Sequence, residues 1–314
     1  MFTAQEKRQA WIEATRPRTL PLAAAGSVVA AAIAASMGVF RWPVFILMFI
    51  TSILLQIIAN FADDYGDLKS GLDDETRVGP KRGLQRGVIT FDQMKRALIG
   101  TCVLAFITGV ALILVAFSDG PETTGSAIVS IIIFILLGAA AIAAAILYTM
   151  GSHPYGYIGL GDIVSFIFFG LVAVIGGTFL YAHELVGASI VGGIALGLPV
   201  MAVMNVNNMR DAKADAAKGK RTIANMLGDP KMRIYETILL AASAVLFVVT
   251  AALCGMKNPV SYILLILSYS MWLMVLVKMW KIPNPENFDK LMQPTSLGSV
   301  IVSLVFLATI AFIG

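Results

Sequence analysis

The chain has little charge and almost no cysteine or histidine. Charged residues make up 13% of its 314 positions, whereas hydrophobic residues make up 58%. This balance excludes an ordinary soluble domain, in which about a quarter of the residues are charged. The two cysteines, Cys102 and Cys254, and the two histidines, His153 and His183, are isolated from one another, so neither a disulfide framework nor a histidine-based metal site is expected. We expect both cysteines to act as small buried hydrophobic residues.

Long uncharged runs take the place of the missing charges. Runs of about 17 to 25 apolar residues are long enough to cross a bilayer as helices. The sequence contains nine such runs, so we predict an all-α polytopic membrane protein built as a bundle of nine transmembrane helices. Their approximate bounds are 20–38, 43–62, 97–118, 126–148, 159–182, 186–206, 235–256, 259–277 and 296–313.

Basic residues are divided unequally between the connections. If the N-terminus is cytoplasmic, 21 of the 23 lysine and arginine residues lie on the cytoplasmic side, and only Arg41 and Lys257 lie on the other. The positive-inside rule therefore predicts a multi-pass protein of the bacterial cytoplasmic (inner) membrane, with a cytoplasmic N-terminus and a periplasmic C-terminus. The net charge of +4 follows from this topology, and nothing indicates a nucleic-acid partner.

Two acidic clusters lie where the second and sixth apolar runs end, at 60–75 and 205–215. Ionised groups beside hydrocarbon are costly, so they indicate a functional site. Spacings of three and four residues place carboxylates on one helix face, where their oxygens can converge on a hard cation such as Mg²⁺. The predicted metal ligands are Asp63, Asp64, Asp67, Asp211 and Asp215.

Basic side chains accompany both clusters, which favours a metal-bridged diphosphate over a bare ion. We expect the connections that carry them to be about 30 residues long and to share the cytoplasmic face. Placing Asp67 over Asp211 also places Asp64 over Asn208, which suggests two related half-bundles within a single domain, 1–314. The predicted diphosphate-binding residues are Asn60, Arg77, Lys81, Arg82, Lys220 and Arg221.

A third segment, YTMGSHPYGYIGLGDIVSFIFFG at 148–170, contains no lysine or arginine although it is expected at the cytoplasmic face, and its tyrosines lie in its first part, 148–162. Its aromatic rings suit a flat substrate and can stabilise a nearby positive charge by cation–π attraction. An aromatic belt at the membrane interface is the alternative interpretation. Gly193 and Gly197 form a GxxxG pattern, which predicts close helix packing. The predicted acceptor-binding residues are Tyr148, Tyr155 and Asp162.

Four stretches of the sequence are informative together: WIEATRPRTLPLA, LLQIIANFADDYGDLKSG with RVGPKRGLQRGVIT, YTMGSHPYGYIGLGD, and NVNNMRDAKADAAKGKRT. They resemble the UbiA superfamily of intramembrane prenyltransferases, over nearly the whole chain. In the superfamily's first motif, NDxxDxxxD, Asp63 stands at the Asn position, Asp64 and Asp67 match the first two acids, and Gly71 replaces the third. This loss resembles the naphthoate branch, where Asp73 or Asp74 can compensate. The second motif, DxxxD, matches at Asp211 and Asp215.

The resemblance implies helices around a lipid-open cavity, with both acidic motifs under a cytoplasmic cap and Mg²⁺ as the cofactor. It also implies transfer of a polyprenyl chain from polyprenyl diphosphate to 1,4-dihydroxy-2-naphthoate, with loss of CO₂, giving demethylmenaquinol. Another aromatic acceptor, such as 4-hydroxybenzoate, stays open, as does a cation-coupled transporter, although a transporter would place its acids nearer the membrane midplane. The residues implied as catalytic are Asp64, Asp67, Asp211 and Asp215.

Overall fold

The computed structural model describes residues 2–72, 81–118 and 124–313. Its regular structure within these ranges is helical, and no strand is present in them. A π-helical stretch, Phe166–Gly176, joins α6 to α7. The α-helices are α1 (Ala4–Thr15), α2 (Leu20–Ser36), α3 (Trp42–Ser70), α4 (Phe91–Ala116), α5 (Thr124–Leu147), α6 (Gly161–Ser165), α7 (Gly177–Ala182), α8 (Gly187–Ala217), α9 (Ile223–Leu227), α10 (Lys231–Leu253), α11 (Pro259–Ser268), α12 (Ser270–Lys281) and α13 (Asp289–Ala308).

Among the described residues, eight helical rods are long and apolar enough to cross a membrane, and α1 with α2 counts as a ninth when this pair, bent by 43°, is taken as one span. The predicted all-α polytopic architecture is confirmed. Three of the rods are composite. One runs from α6 through the π-helical stretch to α7, and a second is interrupted at Tyr269, between α11 and α12. The third, Pro285–Phe312, begins with a 3-10 turn before α13 and ends in a short π-helix.

Asp63, Asp64 and Asp67 of the first acidic cluster, and the whole of the second, lie on helices that continue past the apolar runs. α3 extends to Ser70 and α8 to Ala217, beyond the predicted ends at 62 and 206. The prediction of connections about 30 residues long is therefore wrong, since α4 already begins at Phe91 and α10 at Lys231. α4 begins early because Thr90 and Gln93 form a capping box that satisfies its first amide groups.

α2 occupies the centre of the bundle, where it packs against α3, α8, α13 and the π-helical stretch. All of its residues from Leu22 to Ala34 are buried. Small side chains permit this, because a Cβ atom added at Gly26 would lie only 2.6 Å from Ala173 Cβ. By contrast, none of the hydrophobic window of α5 is buried within the chain, so α5 turns apolar side chains outward.

Around α2 the helices form two groups. α3 packs against α4 and α5, while α8 packs against α10, α13 and the π-helical stretch. A Cβ atom at Gly170 would lie 2.6 Å from both Gly193 O and Gly197 Cα, so the close packing predicted for the GxxxG pattern is confirmed. Cys102 and Cys254 are free, as expected, but each is only half-buried.

Candidate active site

One cavity of about 440 Å³ joins the ends of both acidic helices to the apolar interior. Away from the acids it continues between α3, α4, α5 and the π-helical stretch, along side chains such as Leu112, Phe134 and Leu180. The cavity therefore offers a charged end and a long hydrocarbon-lined passage. The polar residues at the charged end are Arg16, Asn60, Asp63, Asp67, Arg82, Asn207, Arg210, Asp211, Asp215, Lys218 and Lys220.

The first acidic motif is held by an arginine from the break between α1 and α2. Arg16 adopts a left-handed backbone conformation there, with φ of 49°. Its guanidinium donates to Asp63 and, at 2.6 Å, to Asp64 Oδ1. Arg82 Nε lies 3.6 Å from the same Asp64 oxygen. Because Asp64 is buried against these cations, it does not line the cavity, whereas Asp63 does.

Asp67, one turn further along α3, is bonded to a tyrosine from the 148–162 segment. Tyr157 Oη donates to Asp67 Oδ1 at 2.7 Å, and Ser70 Oγ lies 3.2 Å from the same phenol oxygen. Burial, and next the charge of Asp67, raise the pKa of Tyr157. The phenol therefore keeps its proton and remains a donor to Asp67.

The segment that carries this tyrosine crosses α3 at close range. Thr149 Oγ1 donates to Ala62 O at 2.8 Å. A Cβ atom at Gly66 would lie 2.5 Å from Thr149 O, so only glycine permits the crossing. Tyr148 and Tyr155 are thereby placed on the cavity wall, where their rings contact each other edge to face at 5.5 Å.

The second acidic motif is held by its own neighbours in sequence. Arg210 donates to both oxygens of Asp211, at 2.7 and 2.6 Å, and reaches Asp289 at 2.8 Å. Lys220 Nζ lies 3.3 Å from Asp215 Oδ2. Burial opposes the charge of Lys220, but the carboxylates around it, led by that of Asp215, raise its pKa. Lys220 therefore stays cationic at the charged end of the cavity.

The acids of these motifs suit a metal that is shared with a phosphate-bearing ligand. Within residues 2–72, 81–118 and 124–313, no three histidine, cysteine or acidic side chains converge closely enough to hold an ion alone. Mg²⁺ bound with a diphosphate needs only one or two carboxylates, because phosphate oxygens and water complete its octahedron. The Oδ2 atoms of Asp64 and Asp215 are buried with no hydrogen-bond partner among the described residues, and Asp215 lines the cavity, so the motifs offer oxygens for such a ligand set. The donor chemistry therefore fits Mg²⁺ together with a diphosphate.

The structure divides the predicted site residues into two groups. Asp64, Lys81, Asp162 and Arg221 do not line the cavity, and Arg77 lies outside the described residues, as do Asp73 and Asp74. The predicted residues that do line it are Asn60, Asp63, Asp67, Arg82, Tyr148, Tyr155, Asp211, Asp215 and Lys220.

The residues off the cavity have identifiable positions. The Arg221 and Lys81 side chains are exposed. Asp162 is buried behind the wall, where Asn208 Nδ2 lies 3.3 Å and Tyr235 Oη 3.4 Å from its two oxygens. A role for Asp162 in binding an aromatic acceptor therefore stays a prediction, and Asp162 would have to act on the acceptor through the side chains between them.

Sequence reasoning missed several residues at the charged end. Arg16 and Arg210 were not selected, although RPR directly before the first apolar run places cations beside the membrane. Tyr157 belongs to the aromatic segment and Lys218 follows Asp215 closely in sequence, but neither was selected as a site residue. Nothing in the sequence indicates that Tyr157 contacts Asp67, because 90 residues separate them. Lys218 donates to Leu72 O at 2.7 Å and so ties the ends of α3 and α8 together.

Comparison with known proteins gives consistent results. The chain is 46% identical over 239 residues to the 1,4-dihydroxy-2-naphthoate octaprenyltransferase of Escherichia coli (strain K12), covering 76% of this chain and 75% of that protein. It is 42% identical over 248 residues to the protein of the same name from Haemophilus influenzae, covering 78% of each.

A solved structure described as a UbiA homolog from Archaeoglobus fulgidus bound to DMAPP and Mg²⁺ has the same fold. Its TM-score is 0.61 at 14% sequence identity, with 94% of this chain and 99% of that chain covered. The family model described as the UbiA prenyltransferase family matches residues 24–300. The resemblance drawn from the motifs is confirmed, and the chain belongs to the UbiA prenyltransferase family.

Proposed function

We propose that the protein transfers a polyprenyl chain from polyprenyl diphosphate to 1,4-dihydroxy-2-naphthoate, releasing diphosphate and CO₂ and forming demethylmenaquinol. The observation that carries this proposal is the single cavity that joins two acidic motifs to a hydrocarbon-lined passage. A diphosphate with a long isoprenoid tail matches both parts of this cavity. The names of the two bacterial relatives specify the naphthoate acceptor.

The charged end holds the diphosphate. Arg82 and Lys220 line it and supply positive charge to phosphate oxygens. Asp67, Asp211 and Asp215 would hold Mg²⁺, with Asp63 and Asp64 beside them. When bound, Mg²⁺ neutralises diphosphate charge and makes it a better leaving group.

The charged end and the apolar passage of the cavity serve different steps of the reaction. The bond between the allylic carbon and the diphosphate oxygen breaks, and its electron pair leaves with the diphosphate. Tyr148 and Tyr155 lie at the cavity wall where the allylic cation would form, and their ring faces can stabilise it. The apolar passage excludes water, which would otherwise capture the cation. An electron-rich naphthoate carbon attacks instead, and the carboxyl group leaves as CO₂.

The alternatives are less well supported. A 4-hydroxybenzoate-type acceptor lacks the second ring, and the named relatives favour the naphthoate. A cation-coupled transporter is disfavoured because both acidic motifs lie at helix ends and share one mouth of the cavity. The deciding experiment incubates the purified protein with octaprenyl diphosphate, Mg²⁺ and each acceptor in turn, and identifies products by mass. Prenylation of 4-hydroxybenzoate with no naphthoate product would reverse the assignment.

We also propose that the charged end faces the cytoplasm, with the N-terminus inside and the C-terminus in the periplasm. The support is the unequal distribution of lysine and arginine between the connections. A topology reporter fused after Gly314 should be active in the periplasm, and one inserted near Gly79 should be active in the cytoplasm. The opposite result at either position would contradict the proposed orientation.

A further inference from the structure

Tyr157 contacts both halves of the candidate active site. Its hydroxyl donates to Asp67 Oδ1, on α3, at 2.7 Å. Lys220 Nζ lies 5.7 Å from the centre of its ring, and the same ammonium lies 3.3 Å from Asp215 Oδ2, on α8. One side chain therefore reaches an acid of the first motif through its hydroxyl and a cation of the second through its ring face.

The main chain around Tyr157 is fixed to the second half of the molecule. Arg221 N donates to Tyr157 O at 2.8 Å, and Ile158 forms an isolated parallel bridge with Arg221. On the other side of this bridge, Asn225 Nδ2 donates to Lys220 O at 2.8 Å. The tyrosine is thus carried by a segment attached to the connection between α8 and α9, while its hydroxyl reaches across to α3.

The hydroxyl is also held in place from the first half. Ser70 Oγ lies 3.2 Å from the phenol oxygen, one turn beyond Asp67 on the same helix. The main chain of Tyr157 is thus fixed to the second half and its hydroxyl to α3. The phenol engages one carboxylate oxygen of Asp67 and thereby sets the direction of the other. Partners of this kind, which orient a ligand without touching the metal, typically change metal affinity or activity about 10- to 100-fold when removed.

We propose that Tyr157 is a positioning residue that orients the Asp67 carboxylate toward the metal-bound diphosphate and holds the two acidic motifs at a fixed separation. This inference rests on the proposed function, because it assigns the charged end of the cavity to a diphosphate. It gives the 148–162 segment a second role, since Tyr148 and Tyr155 face the cavity while Tyr157 acts on the acids themselves.

The test uses Tyr157→Phe, which removes the hydroxyl and keeps the ring beneath Lys220. Binding of farnesyl thiolodiphosphate, which does not react, is measured by titration calorimetry over a range of Mg²⁺ concentrations without any acceptor. We expect the Mg²⁺ concentration for half-maximal binding to rise roughly tenfold. Tyr262→Phe is the matched control, because its hydroxyl donates to Met256 O at 2.9 Å away from the cavity; its binding curve should match the wild type.

A second substitution separates the ring from the hydroxyl. Tyr157→Leu removes both contacts, so its Mg²⁺ requirement should exceed that of Tyr157→Phe by about another threefold. Wild-type Mg²⁺ dependence in Tyr157→Phe overturns the inference, as does an equal shift in the Tyr262→Phe control. If Tyr157→Phe does not fold, Ser70→Ala must raise the Mg²⁺ requirement in the same direction, and an unchanged curve there overturns the inference as well.

The two proposals fail in different ways. If the wild-type protein binds the thiolodiphosphate with Mg²⁺ but never prenylates the naphthoate, the proposed function is wrong while the binding comparison still tests Tyr157. If the naphthoate is prenylated normally and Tyr157→Phe binds like the wild type, only the positioning role is wrong.

Discussion

The two acidic motifs differ in where their partners come from. Asp63 is bonded to Arg16, 47 residues away, and Asp67 to Tyr157, 90 residues away. On α8, in contrast, the guanidinium that holds Asp211 belongs to the preceding residue. The first motif is therefore assembled by tertiary structure, whereas the second is largely built from one helix and the turn that follows it.

This difference has an energetic side. The Asp64 side chain is completely buried, so the arginine that reaches it takes the place of solvating water. The Asp211 side chain is 21% exposed, so water shares in its solvation. The first motif should therefore be sensitive to substitutions far away in the sequence, and the second should be sensitive mainly to substitutions within itself.

The largest expected effect is on prenyl transfer, and it is the same for the two motifs. Asp67→Asn and Asp211→Asn each remove a carboxylate from the charged end of the cavity, so each should lower prenyl transfer at least about hundredfold at saturating Mg²⁺. Product formation by mass spectrometry measures this. Glu286→Gln is the control, because Glu286 forms an exposed ion pair with Lys213, and it should retain full activity. Retained activity in either Asp variant would remove that motif from the site.

The next largest effect is on the free energy of unfolding, and it differs between the two motifs. Asp64→Asn removes a fully buried carboxylate and leaves the half-buried Arg16 partly unpaired, so it should lower the free energy of unfolding by about 2 kcal/mol, moderated because Arg16 keeps Asp63. Asp211→Asn should cost less than about 1 kcal/mol, because Arg210 keeps Asp289. Denaturant unfolding in detergent, without substrate, measures both. Equal losses would contradict the contrast between a distant and a local partner.

A smaller effect, on diphosphate binding, should distinguish two adjacent basic residues beside the second motif. Lys220 lines the cavity, whereas the Arg221 side chain is exposed and only its main chain bonds the 148–162 segment. Lys220→Met should weaken diphosphate binding about tenfold, since it removes a charge-assisted contact. Arg221→Met should change it less than about twofold. Calorimetry with farnesyl thiolodiphosphate distinguishes them, and the reverse order would show that the loop is arranged differently when substrate binds.

The smallest effect concerns the acceptor. Tyr148 lines the cavity without contacting either acidic motif through a hydrogen bond in the described residues. Tyr148→Phe should raise the KM for naphthoate about three- to tenfold and leave the KM for the prenyl diphosphate nearly unchanged. Asp162→Asn should act in the same direction but more weakly, because Asp162 lies behind the cavity wall. A raised diphosphate KM with a normal naphthoate KM would move this segment to the metal side of the site.

Sequence reasoning succeeded where periodicity and local spacing determine the structure. The length of the apolar runs predicted the helical bundle. The three- and four-residue spacing of the acids predicted a shared helix face, and Asp67, Asp211 and Asp215 do line one mouth of the cavity, while their binding of metal stays a prediction. It failed at helix ends, because hydropathy cannot show that α3 and α8 continue as helices through their polar residues.

Contacts between segments that are distant in sequence could not be predicted from the sequence. Arg16 and Tyr157 touch the acids only because the break after α1 and the crossing at Gly66 bring separate segments together. Asp162 and Asp64 are acidic, as expected of site residues, but their side chains bond to Asn208 and Arg16 and do not line the cavity. The direction in which a helix face turns depends on packing, and one sequence does not contain it.

The contrast between α2 and α5 has a consequence for how the protein tolerates mutation. A deep mutational scan should show α2 as a block of intolerant positions, since at Gly26 even one added methyl group would collide with Ala173. Outward-facing positions of α5, such as Ile128, Ile132 and Leu136, should accept most apolar exchanges. Two apolar helices of one bundle thus differ in how freely their positions can vary, and related proteins should diverge fastest along α5.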